Sequence, residues 1–383
     1  MFHVYFLLIV CTILAYLYSF GITEKVIVNG ENKIVKKEPN LIAKFALVAL
    51  ATYMILFAGL RNETNDTLIY ANNFRELTTS YEGLDWSLGN NPLFMVYQIT
   101  IKRFISSSPN MFFLITSSLV IVSYILFFKR YSVNFGFSIY ILIAFSLYAF
   151  TMAAIKQSMS IAIAIWAVPQ IINKKYFRAL LLIAAATLFH AFAFLYVVAF
   201  FLTKSVWDKR AVFIIISTIV VGAFFSVFVG SALDFTSTIG GNVYSSEDFS
   251  TGTSLLRVIV YIAPSVLTFI YRERIRQENN QFLNMSVNLS LVAACFMVLA
   301  GIGGANLTGR LAGYFDIFIC FSLPATVKYG ITSKQTRDIV TVIIFIAFAV
   351  FYYSYYYKFQ QAYPGFFTDY YNHRSLFYVL SNW

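Results

Sequence analysis

Charge is what this sequence has least of. Only 12% of the 383 residues are charged, about half the share in a soluble domain, while 59% are hydrophobic and the mean hydropathy is +0.72. That balance excludes a soluble globular enzyme, a disordered chain and a small secreted scaffold. Apolar runs of about 20 residues recur from end to end, the mark of a polytopic membrane protein. No stretch between them is long enough for a separate soluble domain, so residues 1–383 read as a single integral membrane domain. The runs lack the polar–apolar alternation of barrel strands, and the expected fold class is all-α.

Other absences narrow the chemistry. The three cysteines, Cys11, Cys295 and Cys320, all fall in apolar runs, without metal-type spacing or a disulfide framework. There is no Walker A motif, no HExxH, no GxSxG and no metal-type His/Asp cluster; neither a metal nor a cofactor is expected. The first run, 2–22, lacks a basic n-region and a small-residue cleavage site and reads as a retained helix. The net charge of +11 would suggest nucleic acid in a soluble protein. In a membrane protein it is the positive-inside bias, and no nucleic-acid partner is expected.

The apolar runs lie at about 2–22, 41–60, 109–128, 134–150, 158–172, 176–202, 211–230, 255–271, 282–302, 311–328 and 338–357. Basic clusters separate them: Lys25/Lys33/Lys36/Lys37, Lys129/Arg130, Lys174/Lys175/Arg178, Lys204/Lys209/Arg210, Arg272/Arg274/Arg276 and Lys328/Lys334/Arg337. All can be cytoplasmic only if 176–202 turns back. As one helix it would be about 40 Å long against a hydrocarbon core of about 30 Å. Two short helices turning near His190 put every cluster on one side, giving about 12 transmembrane helices with both ends outside. The segment 92–106 is too short and too basic to span and reads as an interfacial or re-entrant helix. The outer segments are then about 61–91, 151–157, the turn at His190, 231–254, 303–310 and the aromatic tail 358–383. Asn62, Asn65 and Asn306 open glycosylation-type triplets, a pattern common by chance.

Four groups of polar residues fall on that outer side. Arg61 follows Gly59-Leu60, and Asp66, Tyr70 and Phe74 share one face of a short helix that Asn65 or Asp66 can cap. The alternative for Arg61 is a snorkelling interfacial arginine. Lys156-Gln157 places a cation against the positive-inside bias; it binds an anionic group or pairs with Asp66 or Asp316. His190 is the only histidine inside the apolar runs, a functional candidate by its depth, or else a hydrogen-bonded packing residue. Finally, 301–314 (GIGGANLTGRLAGY) brings glycines and Arg310 to a helix mouth, with Tyr314, and Asp316 about a turn and a half further in, where it holds an arginine or contacts substrate. Arginine and lysine suit a diphosphate. ATP is absent outside the cell, whereas a lipid-linked diphosphate is available there, and a histidine is a suitable general base.

The same residues resemble a known family. The run AGLRNETNDTLIYANNF looks like the G-L-R…D…Y…F signature of the EpsG-like polysaccharide polymerases, which include many O-antigen polymerases (Wzy). Asn91-Pro92-Leu93-Phe94 resembles the family's short E/N-P-L-F segment. The stretch from Lys156-Gln157 through Lys174-Lys175 to Leu188-Phe189-His190 resembles its R-Q…K-K-x-F…L-F-H block. Arg310-Leu311-Ala312-Gly313-Tyr314-Phe315 resembles its late R-L-x-x-Y-F. At Lys156 the family usually has arginine, so the charge is kept and the bidentate fork is lost. The resemblance implies polymerisation of undecaprenyl-diphosphate-linked oligosaccharide repeat units at the outer face of the bacterial cytoplasmic membrane. It also implies a GT-C-like fold and a partner that regulates chain length.

On that reading the enzyme is a metal-independent glycosyltransferase. Arg61 and Arg310 bind the leaving diphosphate with Lys156 assisting. His190 takes the acceptor proton. Asp66 orients Arg61 or is the rival base. Tyr70, Gln157, Tyr314 and Asp316 contact substrate. The rivals are a flippase for the lipid-linked repeat, which needs cations along a path open to both sides, an O-antigen ligase, and a membrane acyltransferase, for which the inner loops offer no donor site.

Overall fold

The computed structural model describes residues 2–29, 32–61, 66–202, 205–225, 227–231, 234, 252–305 and 307–362, with side chains within 4–22, 38–61, 66–202, 205–225, 227–231, 234, 252–305 and 307–357. Most of the expected outer loop 231–254, the tail beyond 362, residues 62–65 and Asn306 lie outside this set, as do the side chains of Lys25, Lys33, Lys36, Lys37 and Lys204.

The described residues are helical almost throughout, and asparagines start several of the helices. Asn40, Asn134 and Asn280 each accept an N-cap hydrogen bond, from the backbone amides of Ala43, Phe137 and Leu283 at 2.8, 3.0 and 3.0 Å, satisfying amides that the helix itself leaves unpaired. One departure from the all-α expectation is an antiparallel hairpin, Ile22–Asn29 with Asn32–Pro39. Asn29-Gly30 between two β-branched runs is the sequence signal for it, and the first basic cluster lies on its strands.

Among the described residues five helices are long and apolar enough to cross a membrane: Leu41–Gly59, Pro109–Tyr131, Ile155–Ile172, Gln281–Ile302 and Lys334–Tyr357. The pair Phe135–Ala144 and Leu147–Ala153, bent by 53°, makes a sixth. Of the other runs read as spans, 176–202 and 311–328 are broken inside, whereas 255–271 forms the single shorter helix Leu255–Ile270. Gln281–Ile302 is the most enclosed of these helices and Lys334–Tyr357 the least. Along the latter, Ile339, Val342, Ile343, Ile346 and Val350 stand outward, each more than half exposed, a surface that suits hydrocarbon rather than water.

The breaks are what position the site. His190, in extended backbone (φ −157°, ψ 118°), ends the helix Tyr176–Phe189, and a 3-10 helix, Ala191–Phe200, follows. The Tyr176 and Phe200 rings meet at 5.8 Å, so the chain does double back with His190 at its tip. Ser146 adopts a left-handed conformation (φ 64°) at the 53° bend. The run 311–328 is interrupted too: a short helix Thr308–Ala312 gives way to a 3-10 turn Asp316–Phe318 and then Ile319–Ala325. Buried tyrosines tie the helices together through backbone carbonyls, Tyr148 to Met54 at 2.6 Å and Tyr196 to Tyr314 at 2.7 Å.

The segment expected to be interfacial is the helix Pro92–Phe104, with proline at its first turn, where a missing N–H costs nothing. It packs against the short helix Thr67–Glu76. Lys102 Nζ reaches the C-terminal carbonyls of that helix, Phe74, Arg75 and Leu77, at 2.9, 2.7 and 2.6 Å, which stabilises both the unpaired carbonyls and the helix dipole.

Candidate active site

Arg61 is buried, 4% exposed, rather than standing at the outer surface. Its guanidinium lies over the Phe113 ring at 4.4 Å. Nε donates to Thr67 Oγ1 at 3.0 Å, and Nη1 donates to the Ala58 carbonyl. It therefore joins the end of Leu41–Gly59 to the start of Thr67–Glu76. The glycine before it has its own reason: a Cβ on Gly59 would lie 2.9 Å from Leu114 Cα, so only glycine lets Leu41–Gly59 and Pro109–Tyr131 approach this closely.

Asp66 occupies the N-cap position of the short helix but makes no side-chain cap bond. One turn on, the Tyr70 hydroxyl meets the backbone of Lys156 and lies within electrostatic reach of Asp66, Arg310 and Arg61. Burial, with the Asp66 charge adding to it, pushes the Tyr70 phenol up to about 12, so it stays protonated and available as a donor. Phe74, on the same face, is fully buried and stacks on Phe112 at 4.9 Å.

Lys156 is half-buried, its ammonium 5.6 Å from the centre of the Phe94 ring. That assigns a place to Asn91-Pro92-Leu93-Phe94: its aromatic residue floors the lysine. Among the described residues neither Lys156 nor Arg310 has a carboxylate within ion-pair distance, so the pairing of Lys156 with Asp66 or Asp316 is not what the structure contains. Gln157, 2% exposed, donates through Nε2 to the Arg310 carbonyl at 2.7 Å. It thereby fixes the backbone beneath Arg310, whose side chain is exposed.

His190 completes the group. Its Nδ1 is hydrogen-bonded to the Tyr314 hydroxyl, and Lys156 and Arg310 are within electrostatic reach of it. Tyr314 is 1% exposed and is held in turn through its own carbonyl by Tyr196. Arg61, Asp66, Tyr70, Lys156, Gln157, His190, Arg310 and Tyr314, spread over 61–314 in sequence, thus form one cluster. Asp316 does not join it. It takes a hydrogen bond from the Tyr261 hydroxyl at 3.1 Å and faces Arg257. Thr67, Phe94, Phe113, Arg257 and Tyr261 had not been singled out as site residues. For Arg257 the available signal was its place on the outer side against the charge bias. Among the described residues no three His, Cys, Asp or Glu side chains come together in a metal-type group.

A polytopic helical membrane protein with a cationic, histidine-bearing cluster at its helix breaks is the class these features define. Residues 44–371 match the model of the EpsG family, and the chain belongs to that family of polysaccharide polymerase-like proteins. No curated protein and no solved structure matches the chain.

Proposed function

We propose that the protein is a glycosyltransferase that polymerises oligosaccharide repeat units carried on undecaprenyl diphosphate, at the outer face of the bacterial cytoplasmic membrane, as an O-antigen or related polysaccharide polymerase. The observation that carries this reading is the meeting of Lys156 and Arg310, two cations without carboxylate partners among the described residues, with the hydrogen-bonded His190. The positive-inside distribution supports the outward orientation.

In the reaction, a hydroxyl on the incoming lipid-linked repeat attacks the anomeric carbon of the growing chain. The bond from that carbon to the diphosphate oxygen breaks, and undecaprenyl diphosphate leaves. Arg310 and Lys156 bind the departing diphosphate, where negative charge grows and fixed cations help most. Arg61 lies beneath them, adding its charge and holding the two helix ends in place. His190 accepts the hydroxyl proton on Nε2. This requires Nδ1 to carry a hydrogen donated to Tyr314 Oη, so Tyr314 sets the tautomer. Burial first, and then the neighbouring Lys156 and Arg310, disfavour the imidazolium, which keeps the imidazole able to accept. Asp66, with no cap bond to make, is the alternative base, and Tyr70 donates to a sugar hydroxyl. A chain-length regulator is the expected protein partner.

Deleting the gene and resolving the surface polysaccharide on a gel tests the reading. A product capped with a single repeat is expected. No capped product, with repeats retained on the cytoplasmic side, makes the protein a flippase; normal-length polymer left on its carrier makes it a ligase.

A further inference from the structure

A second polar cleft lies on the far side of the segment that carries Arg310 and Tyr314. Its walls include Arg257, Tyr261, Asp316, Phe150, Tyr355 and Gly313. Arg257 and Asp316 do not touch. The Tyr261 hydroxyl stands between them, within hydrogen-bonding reach of the guanidinium and donating to Asp316 Oδ2 at 3.1 Å. Asp316 is 7% exposed, so a carboxylate and a guanidinium are held apart in a largely dry wall. Ser146, at the left-handed bend, also lines the cleft. The cleft adjoins the His190 cluster through one residue. A Cβ built on Gly313 would lie 3.3 Å from Gln157 Nε2 on one side and 3.4 Å from Phe150 Cζ on the other.

We propose that this cleft is a second saccharide subsite, holding a sugar residue of the repeat unit at a distance from the reacting one. Separated donors and acceptors with flanking aromatic rings suit a hydroxyl-rich ring with apolar faces. A phosphate is disfavoured, because the one guanidinium here shares the cleft with the Asp316 carboxyl and the Tyr261 hydroxyl rather than facing it alone. The inference rests on the polymerase reading for the identity of the ligand as a piece of glycan. It adds that the fit of a non-reacting sugar is checked here, which makes the cleft a determinant of which repeat unit is accepted.

The test is binding without turnover. Full-length protein in lipid nanodiscs is applied to an array of defined mono- to tetrasaccharides, with inorganic pyrophosphate as a competitor. The wild type should retain at least one saccharide. Arg257→Gln and Asp316→Asn should each weaken it at least about tenfold, the scale of a lost hydrogen bond to a charged group. Tyr355→Ala, which removes a wall ring from the rim, should do the same and stands in if either charge variant unfolds on heating below the wild type. His190→Gln should bind as wild type. Retention of no saccharide, equal binding by all three cleft variants, displacement by pyrophosphate, or loss in His190→Gln would each overturn the proposal. Because the array needs no catalysis, its result is separate from that of the polysaccharide gel.

Discussion

Replacing Tyr314 with phenylalanine isolates one atom of the proposed mechanism. The phenol oxygen is bonded to His190 Nδ1, and Tyr314 is 1% exposed, so no solvent takes the place of the lost hydroxyl. The ring itself stays: phenylalanine keeps the edge contact with Tyr196, whose ring centre is 6.4 Å away, and Tyr196 still donates to the carbonyl of residue 314. Folding should therefore survive. What changes is the imidazole. Without Tyr314 Oη to accept from Nδ1–H, the tautomer that leaves Nε2 open loses its partner. An unpaired buried polar group costs about 1–3 kcal/mol, a factor of roughly 5 to 150 in rate if it falls on the transition state. The expectation for Tyr314→Phe is a fall in kcat within that range at unchanged KM for the lipid-linked donor, since the interaction is not one that binds substrate. Purified enzyme, lipid-linked repeat units and initial rates read from the product ladder measure it. A kcat within about twofold of wild type would remove Tyr314 from the mechanism and leave His190 oriented by something else.

His190→Gln should lose at least about 100-fold in turnover while substrate still binds, the scale of a missing general base; near-normal turnover at saturating substrate would pass the role to Asp66. Arg61→Lys keeps the charge but breaks the fork shared by Thr67 and Ala58 and the stack on Phe113. It should lower the thermal unfolding midpoint in detergent as well as activity, and an unchanged midpoint would show that Arg61 does not hold the two helix ends. Gly59→Ala should destabilise by about 1–3 kcal/mol, the cost of overpacking, because the atom it meets is the backbone of Leu114. Gly230→Ala, with nothing among the described residues within 4 Å, is the matched control and should not destabilise. Cysteines placed at 174 and 206 should both resist a membrane-impermeant label applied from outside; labelling at 206 alone would overturn the doubled-back hairpin.

Much of this protein was legible without coordinates. Composition and run length are local properties, and they sufficed for a helical membrane chain, because each span must satisfy its own backbone in hydrocarbon. The turn at His190 was readable from charge bookkeeping, since an unbroken helix would invert every later basic cluster. The hairpin at 22–39 was also there to be read, in Asn29-Gly30, but in a sequence dominated by apolar runs its alternating strands are a weak signal.

The site was legible as a list of residues and not as an arrangement. Spacing suggested that Arg61 stands at the outer surface, yet the structure buries it between Phe113, Thr67 and Ala58. That outcome depends on how closely Gly59 lets two helices approach, and closeness between helices is not a property of either one alone. Phe94 beneath Lys156 and Tyr314 against His190 are contacts between segments far apart in sequence, and nothing local encodes them. Asp316 shows the limit most plainly. It is two residues from Tyr314, but the helix breaks there, so successive side chains leave the backbone in different directions. Tyr314 reaches His190, and Asp316 turns to Tyr261 and the second cleft. The sequence by itself determined that this is a helical membrane protein with polar residues at its helix ends. Only the tertiary structure decided which of those residues come together, because in a bundle of interrupted helices the breaks set each side chain's direction and packing sets its partner.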